Sequence, residues 1–205
     1  MKNIELLEKA ILVNSKEDSN QLIKQFLLSN QLQSSKFNLY DYCSKEIKRP
    51  VMTGINYANG FQAATDGFIL IKLKESYSPE LEGKTIDKKG VKIDGIYPKY
   101  NVVIPDDKYL TYYSIDRDRV LELYQEYKLA KKLDKYHEGY ITINGVSFKV
   151  DLLAKMCRYA KYIDTDQIGL QDSKRAAKFS NNGSCGIIMP TDISQSTKKL
   201  HEYKL

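Results

Sequence analysis

The 205-residue sequence predicts an α+β fold with helices packed on one face of antiparallel sheets. Three observations predict it. Asn59-Gly60, Asn144-Gly145 and Asn182-Gly183 each supply the positive φ angles of a two-residue primed turn between β-forming runs. Amphipathic stripes at helical spacing lie before and between these hairpins. The order strand, helix, hairpin, strand then occurs twice, with one further strand and helix between the two copies.

Residues 1–36 predict two short helices. Ile4, Leu7, Ile11 and Leu12 share a face, residues 14–19 form a polar break, and Leu22, Ile23, Phe26 and Leu27 make a second stripe. Residues 37–48 predict a short strand and a helix, with Leu39, Tyr42, Cys43 and Ile47 on one side and Lys45 and Lys48 on the other. From Arg49 to Leu73 the chain predicts a hairpin and a further strand. The hairpin turns at residues 59–60, Asp66-Gly67 turns again, and the run Phe68 to Leu73 is too apolar for a sheet with one wet face. Residues 75–95 are polar, with a turn at Lys88-Lys89-Gly90, and Tyr97 to Pro105 predicts a strand-like passage. A boundary between two halves is expected near residue 108.

Tyr112 to Ile115 predicts a strand and Asp116 an N-cap. The long helix that follows, to about residue 135, puts Val120, Leu123, Tyr124, Tyr127 and Ala130 on one face. Lys128, Lys131, Lys132 and Lys135 collect towards its end, where the helix dipole also favours cations. Tyr140 to Ile143 and Val146 to Val150 form a hairpin that leads into a helix from about Asp151 to Tyr162. Its inward residues are Leu152, Leu153, Met156, Cys157 and Ala160; Lys155, Arg158, Lys161 and Tyr162 face away. Three strands at 168–170, 176–179 and 187–189 complete the pattern. Residues 193–205 are polar and predict a mobile tail. The expected organisation is an extension over 1–36, halves over 37–108 and 109–192, and a tail over 193–205.

With 42% hydrophobic and 28% charged residues the composition suits a globular chain, and no apolar run approaches the roughly 20 residues of a membrane span. No basic-then-apolar signal pattern opens the chain, since Glu5 and Glu8 interrupt it. Cys43, Cys157 and Cys185 are odd in number and form no Cys-x-x-Cys pair, which predicts reduced thiols in a cytoplasmic protein without a bound metal. The net charge of +6 permits a polyanionic partner without demanding one. Abundant Lys, Asn, Ile and Tyr with no Trp suggest an AT-rich source such as a phage or mobile element.

No catalytic constellation emerges, so the chain is expected not to be an enzyme. His137 and His201 lack a Cys, Ser or carboxylate partner at a recognisable spacing. Asp164-Thr165-Asp166 reads as a turn, and Cys157 as an inert core thiol. Glu82-Gly83-Lys84-Thr85 lacks the spacing of a phosphate loop. No cofactor is expected.

Three motifs, in order, resemble the bacterial sliding clamp, the β subunit of DNA polymerase III. Arg49 to Leu73 is similar to its Arg-Pro, hairpin, Ala-Thr-Asp-Gly, strand segment. Ile96 to Pro105 is similar to its aromatic-Pro-Asp-Tyr…Pro signature between domains. Cys185 to Pro190 resembles its closing strand, which ends in Met-Pro. A clamp protomer carries three domain copies in one chain. This chain has room for about one copy with extensions, so a ring implies several chains. The resemblance implies a DNA-clamp-like fold and a homo-oligomer around double-stranded DNA. Helices would line the hole and offer lysines and arginines to phosphates without reading sequence. The candidates are Lys45, Lys48, Lys128, Lys131, Lys132, Lys155, Arg158 and Lys161, each of which also reads as part of a solvated charged face. The resemblance also implies a groove that docks DNA polymerase or other replication proteins, to which Met189 and Pro190 correspond by position. Gln21-Leu22 with Phe26 faintly resembles the peptides that dock there, and reads more simply as part of an amphipathic helix. The alternative is a clamp-derived interaction module that does not encircle DNA.

Overall fold

The computed structural model describes residues 37–194 and 200–205, and the helical pair expected over residues 1–36 lies outside them. β1 (Ile55–Ala58) and β2 (Phe61–Thr65) form the expected hairpin, with φ of 55° at Asn59 and 75° at Gly60. At the next turn the Asp66 carboxylate accepts the backbone N–H groups of Phe68 and Ile69, both at 3.0 Å, and aims the chain into β3 (Ile69–Leu73). β4 (Lys84–Ile86) pairs with β1, and β5 (Lys92–Ile93) with β4. β6 (Thr111–Ser114) leads into α1 (Arg117–Leu133), whose first turn is closed by the Asp116 side chain accepting from the N–H of Arg119. β7 (Glu138–Ile143) and β8 (Val146–Lys149) turn at Asn144-Gly145, and α2 (Val150–Tyr162) follows at once. β9 (Gln167–Leu170), β10 (Ala177–Asn181) and β11 (Ser184–Ile188) come next, and β12 (Leu200–Glu202) is the last element.

The strands make two sheets. The larger has nine strands in the order β5-β4-β1-β2-β3-β11-β10-β9-β6, and the smaller runs β12-β7-β8. The seam of the larger sheet is the antiparallel pair β3–β11, with Ile69 opposite Ile188 and Ile71 opposite Gly186. Segments on either side of residue 108 therefore share one sheet. The helices pack against each other, and α2 lies across β11 and β10. Ile69, Ile71, Phe179 and Ile188 from the sheet meet Val120 and Leu123 from α1, and Leu153, Met156 and Tyr159 from α2. Gly186 sets the depth of that contact. A Cβ there would stand 2.5 Å from Met156 Cε and 2.6 Å from the Tyr159 ring. The opposite face of the seam is covered locally, where Tyr100 and Ile104 pack on Leu70, Ala176 and Ile187. The run from Ile69 to Leu73 is thus buried on both faces as expected, except that Phe68, just before the strand, is exposed.

Besides the unexpected strands β4 and β5, three stretches depart from the sequence reading. Residues 37–48 hold no strand and no α-helix. Asn38 caps only the short 3-10 turn Leu39–Tyr42, and the Ser44 N–H then bonds to the carbonyls of Met52 and Thr65, which draws the chain to the sheet. Tyr97 to Pro105 is not a strand either: Tyr100–Val103 is a 3-10 turn, and Pro98 and Pro105 have no N–H for a ladder. The third departure is the polar tail. Residues 200–205 are docked, with β12 parallel to β7, and the Tyr203 N–H donates to the Tyr140 carbonyl at 2.9 Å. The Tyr203 ring is buried between Tyr127 and His137 and occupies the space where a Cβ on Gly139 would stand. One aromatic with a cradle outweighs the polarity of its neighbours.

Candidate functional site

The solvent side of the helix pair carries the basic residues. Tyr124 of α1 lies among them, with Lys128 Nζ 5.0 Å and Arg158 Cζ 5.1 Å from its ring centroid. One cation comes from each helix, so the α1–α2 packing brings them together. Burial holds the Lys128 ammonium below the usual lysine range, and the charges of Arg158 and Lys132 add to the effect. Among the described residues, none of Lys128, Lys132 and Arg158 has a carboxylate at ion-pair distance. The ring compensates the cations in part, and an incoming anion would relieve the remaining repulsion.

The other candidates are placed differently. Lys155 Nζ is 3.7 Å from Asp66 Oδ2, which ties α2 to the turn before β3. Lys161 Nζ is 3.5 Å from Asp118 Oδ1, which links the two helices. Lys131 Nζ lies 2.8 Å from the Tyr127 hydroxyl oxygen. Lys45 and Lys48 are exposed but sit in irregular chain, not on the helix expected there, because that segment is drawn to the sheet at Ser44. The structure therefore brings together Lys128, Lys132 and Arg158 and leaves Lys155 and Lys161 paired. Sequence reasoning assigned Tyr124 to the apolar face; its spacing of four residues from Lys128 was the signal for its second role.

Met189 and Pro190 follow β11 on the other side of the large sheet. The Met189 N–H donates to the Phe68 carbonyl at 2.9 Å, which extends the β3–β11 ladder by one step and leaves both side chains in solvent. Two residues further in, Leu70 and Ile187 are roofed by Tyr100 and Ile104, while Val102 and Val103 of the same 3-10 turn stand exposed. Phe68 and Met189 thus leave an exposed apolar pair at one end of the seam, and Val102 and Val103 add exposed apolar surface on the turn that roofs its neighbours. Phe68 and the two valines were not among the expected site residues. Strand alternation, which puts Phe68 on the face of Leu70, could have found the first of them.

No family model matches the sequence, and no curated protein does. Solved structures do match. The sliding clamp (DNA polymerase III β subunit) of Bartonella birtlesii, solved bound to griselimycin, aligns with a TM-score of 0.56 at 14% identity, over 75% of this chain and 62% of its own. The fold is that of a sliding clamp. The Bacillus subtilis DNA polymerase sliding clamp gives a TM-score of 0.55 at 13% identity, over 75% of this chain and 60% of its own. The DNA polymerase III β subunit of Pseudomonas aeruginosa gives 0.56 at 17%, over 74% and 61%. This chain therefore spans about three-fifths of the length of the clamps it matches.

Within this clamp fold the thiols are shielded. Burial pushes Cys43 and Cys157 from an ordinary 9.0 up to about 12, and raises Cys185 as well. At pH 8 the thiolate fraction of Cys43 and Cys157 is then on the order of one in ten thousand. A thiol-reactive dye should label about none of the three cysteines in the native protein and all three in denaturant. The same shifts carry a sign for stability. Above pH 9 the unfolded chain releases thiol protons that the folded chain keeps, so the thiols' contribution to stability should be constant below pH 9 and should turn against the fold from there towards pH 12. Alkaline denaturation monitored by circular dichroism checks this. No described helix is long and apolar enough to cross a membrane.

Proposed function

We propose that the protein is a sliding-clamp-like tethering factor, in which several copies associate around duplex DNA and hold a replication protein on it. The observation that carries this reading is the Lys128–Lys132–Arg158 cluster, unpaired with acid among the described residues, on the solvent side of the helix layer of a clamp fold. Such a cluster meets phosphates as point charges on long stems and needs no base-reading geometry. Binding is then independent of sequence and weakens with salt by counterion release. Lys45, Lys48, Lys131, Lys155 and Lys161 supplement it in the wider field. The protein acts by topology and docking and not as an enzyme, in the cytoplasm of a cell or of a host to a phage or mobile element. The two halves, 37–108 and 109–192, supply the sheet seam and the helix layer. The patch around Phe68, Met189 and Pro190 receives the polymerase or another replication protein.

A second reading, an interaction module that does not ring DNA, is favoured by β12, which occupies the β7 edge of the small sheet that a second copy could otherwise extend. Light scattering across a concentration and salt series separates the two. One discrete closed oligomer supports the ring, and a monomer at every concentration supports the module.

A further inference from the structure

We propose that the outer face of the large sheet carries a carboxylate-reading subsite beside the docking patch. The peptide it receives would combine an apolar anchor with an acidic residue about four positions away. This inference rests on the reading of Phe68 and Met189 as a docking patch. Beyond the Tyr100–Val103 turn, the same face of β3 and β11 opens into a cavity of about 390 Å³, lined by Lys72, Asp107, Lys178 and the β10–β11 hairpin. Its charges do not balance. Lys178 Nζ stands 2.7 Å from Asp107 Oδ1, with its side chain only 10% exposed. The same carboxylate oxygen accepts the Tyr112 hydroxyl at 2.5 Å, so this acid is committed. Lys72 Nζ lies 4.0 Å above the Phe61 ring and has no carboxylate partner among the described residues. Cys185, which also lines the cavity, is kept neutral by burial and adds no negative charge. The Ser184 hydroxyl accepts the Lys74 N–H at 2.9 Å, and its own proton can still be donated into the cavity. One uncompensated ammonium beside a hydroxyl donor in a concave site suits a carboxylate.

The spacing follows from strand geometry. Leu70 and Lys72 share one face of β3, as Ile187 and Cys185 share that of β11, and the bonded pair Phe68–Met189 continues both strands by one step. Four residues of strand put Lys72 roughly 13 Å from Phe68. An extended peptide covers that distance in about four residues as it crosses the exposed Val102 and Val103.

The test selects from a displayed library of random peptides about twelve residues long. The baits are the wild-type protein, Lys72→Glu, Lys72→Gln and Phe68→Asp. Wild type should enrich an apolar anchor with Asp or Glu three to five positions from it, roughly four strand residues. Lys72→Gln should lose the acid preference, and Lys72→Glu should replace it by Lys or Arg. The wild-type peptides should bind Lys72→Glu on the order of tenfold more weakly, and Phe68→Asp should enrich neither feature. An apolar consensus without an acid, unchanged by either Lys72 variant, would leave the docking patch standing and overturn the subsite. Failure to enrich any peptide, or enrichment indifferent to Phe68→Asp, would overturn the docking reading and the subsite with it.

Discussion

Replacing Lys128, Lys132 and Arg158 together by Glu is expected to lower duplex DNA affinity at low salt by at least about a hundredfold and to flatten its salt dependence. If each cation meets one phosphate, the slope of log K against log salt should lose roughly 2–3 units per copy, since each neutralised phosphate contributes about 0.9. The effect is large because these cations have no acidic partner among the described residues, so little of their charge is already satisfied within the chain. Lys155→Glu and Lys161→Glu are the matched controls. Each removes a cation from the same helix pair, but one paired with Asp66 or Asp118. Each should cost less than about threefold, in line with the modest worth of exposed and partly exposed pairs. Fluorescence anisotropy with one duplex over a salt series distinguishes these patterns. A loss per charge as large for Lys155→Glu and Lys161→Glu as for the triple variant would mean that the helix face acts only as a diffuse field, and no loss for the triple variant would remove α1 and α2 from DNA binding.

The largest loss of stability is expected from Gly186→Leu. The missing Cβ at residue 186 is what lets Met156 and Tyr159 of α2 rest on β11, the strand that joins β3 to the rest of the sheet. A leucine there must displace two fully buried side chains or lift the helix. Overpacking of this kind costs about 3 kcal/mol or more when backbone must move. At about 2–4 °C per kcal/mol for a chain of this size, the melting temperature should fall by about 6–12 °C. Met156→Ala in the same chain should recover part of the loss, although alone it destabilises by about 2–5 kcal/mol through the cavity it leaves. That non-additivity is the signature of direct contact. Urea denaturation of the four proteins in the cycle measures it, and strict additivity would contradict the packing of α2 on Gly186.

What the residues revealed beforehand follows from how local each determinant is. The Asn-Gly turns were readable because positive φ is a property of those residues alone, and among the described residues the four non-glycine positions with positive φ include Asn59, Asn144 and Asn182. α1 and α2 were readable because each carries its apolar stripe within one segment. β4 was hidden because its stability comes not from its own polar letters but from pairing with β1, a partner 29 residues away at Asn56–Thr85, and β5 because it pairs in turn with β4. β12 was hidden for the same reason: Tyr203 is an ordinary tyrosine until Gly139 leaves a space for it. The basic residues could be counted in the sequence but not sorted. Asp66 and Asp118 lie far along the chain from Lys155 and Lys161, and only the fold decides which cations they neutralise.

The most direct test of the tethering account is retention on closed circular duplex DNA before and after linearisation by a single cut, at a salt concentration high enough to strip free electrostatic binding. A protein that rings DNA should stay on the circle and be lost from the linear form as it runs off the ends. Equal retention on the two forms, or none on either, would contradict encirclement and leave the chain as a docking module with a clamp fold.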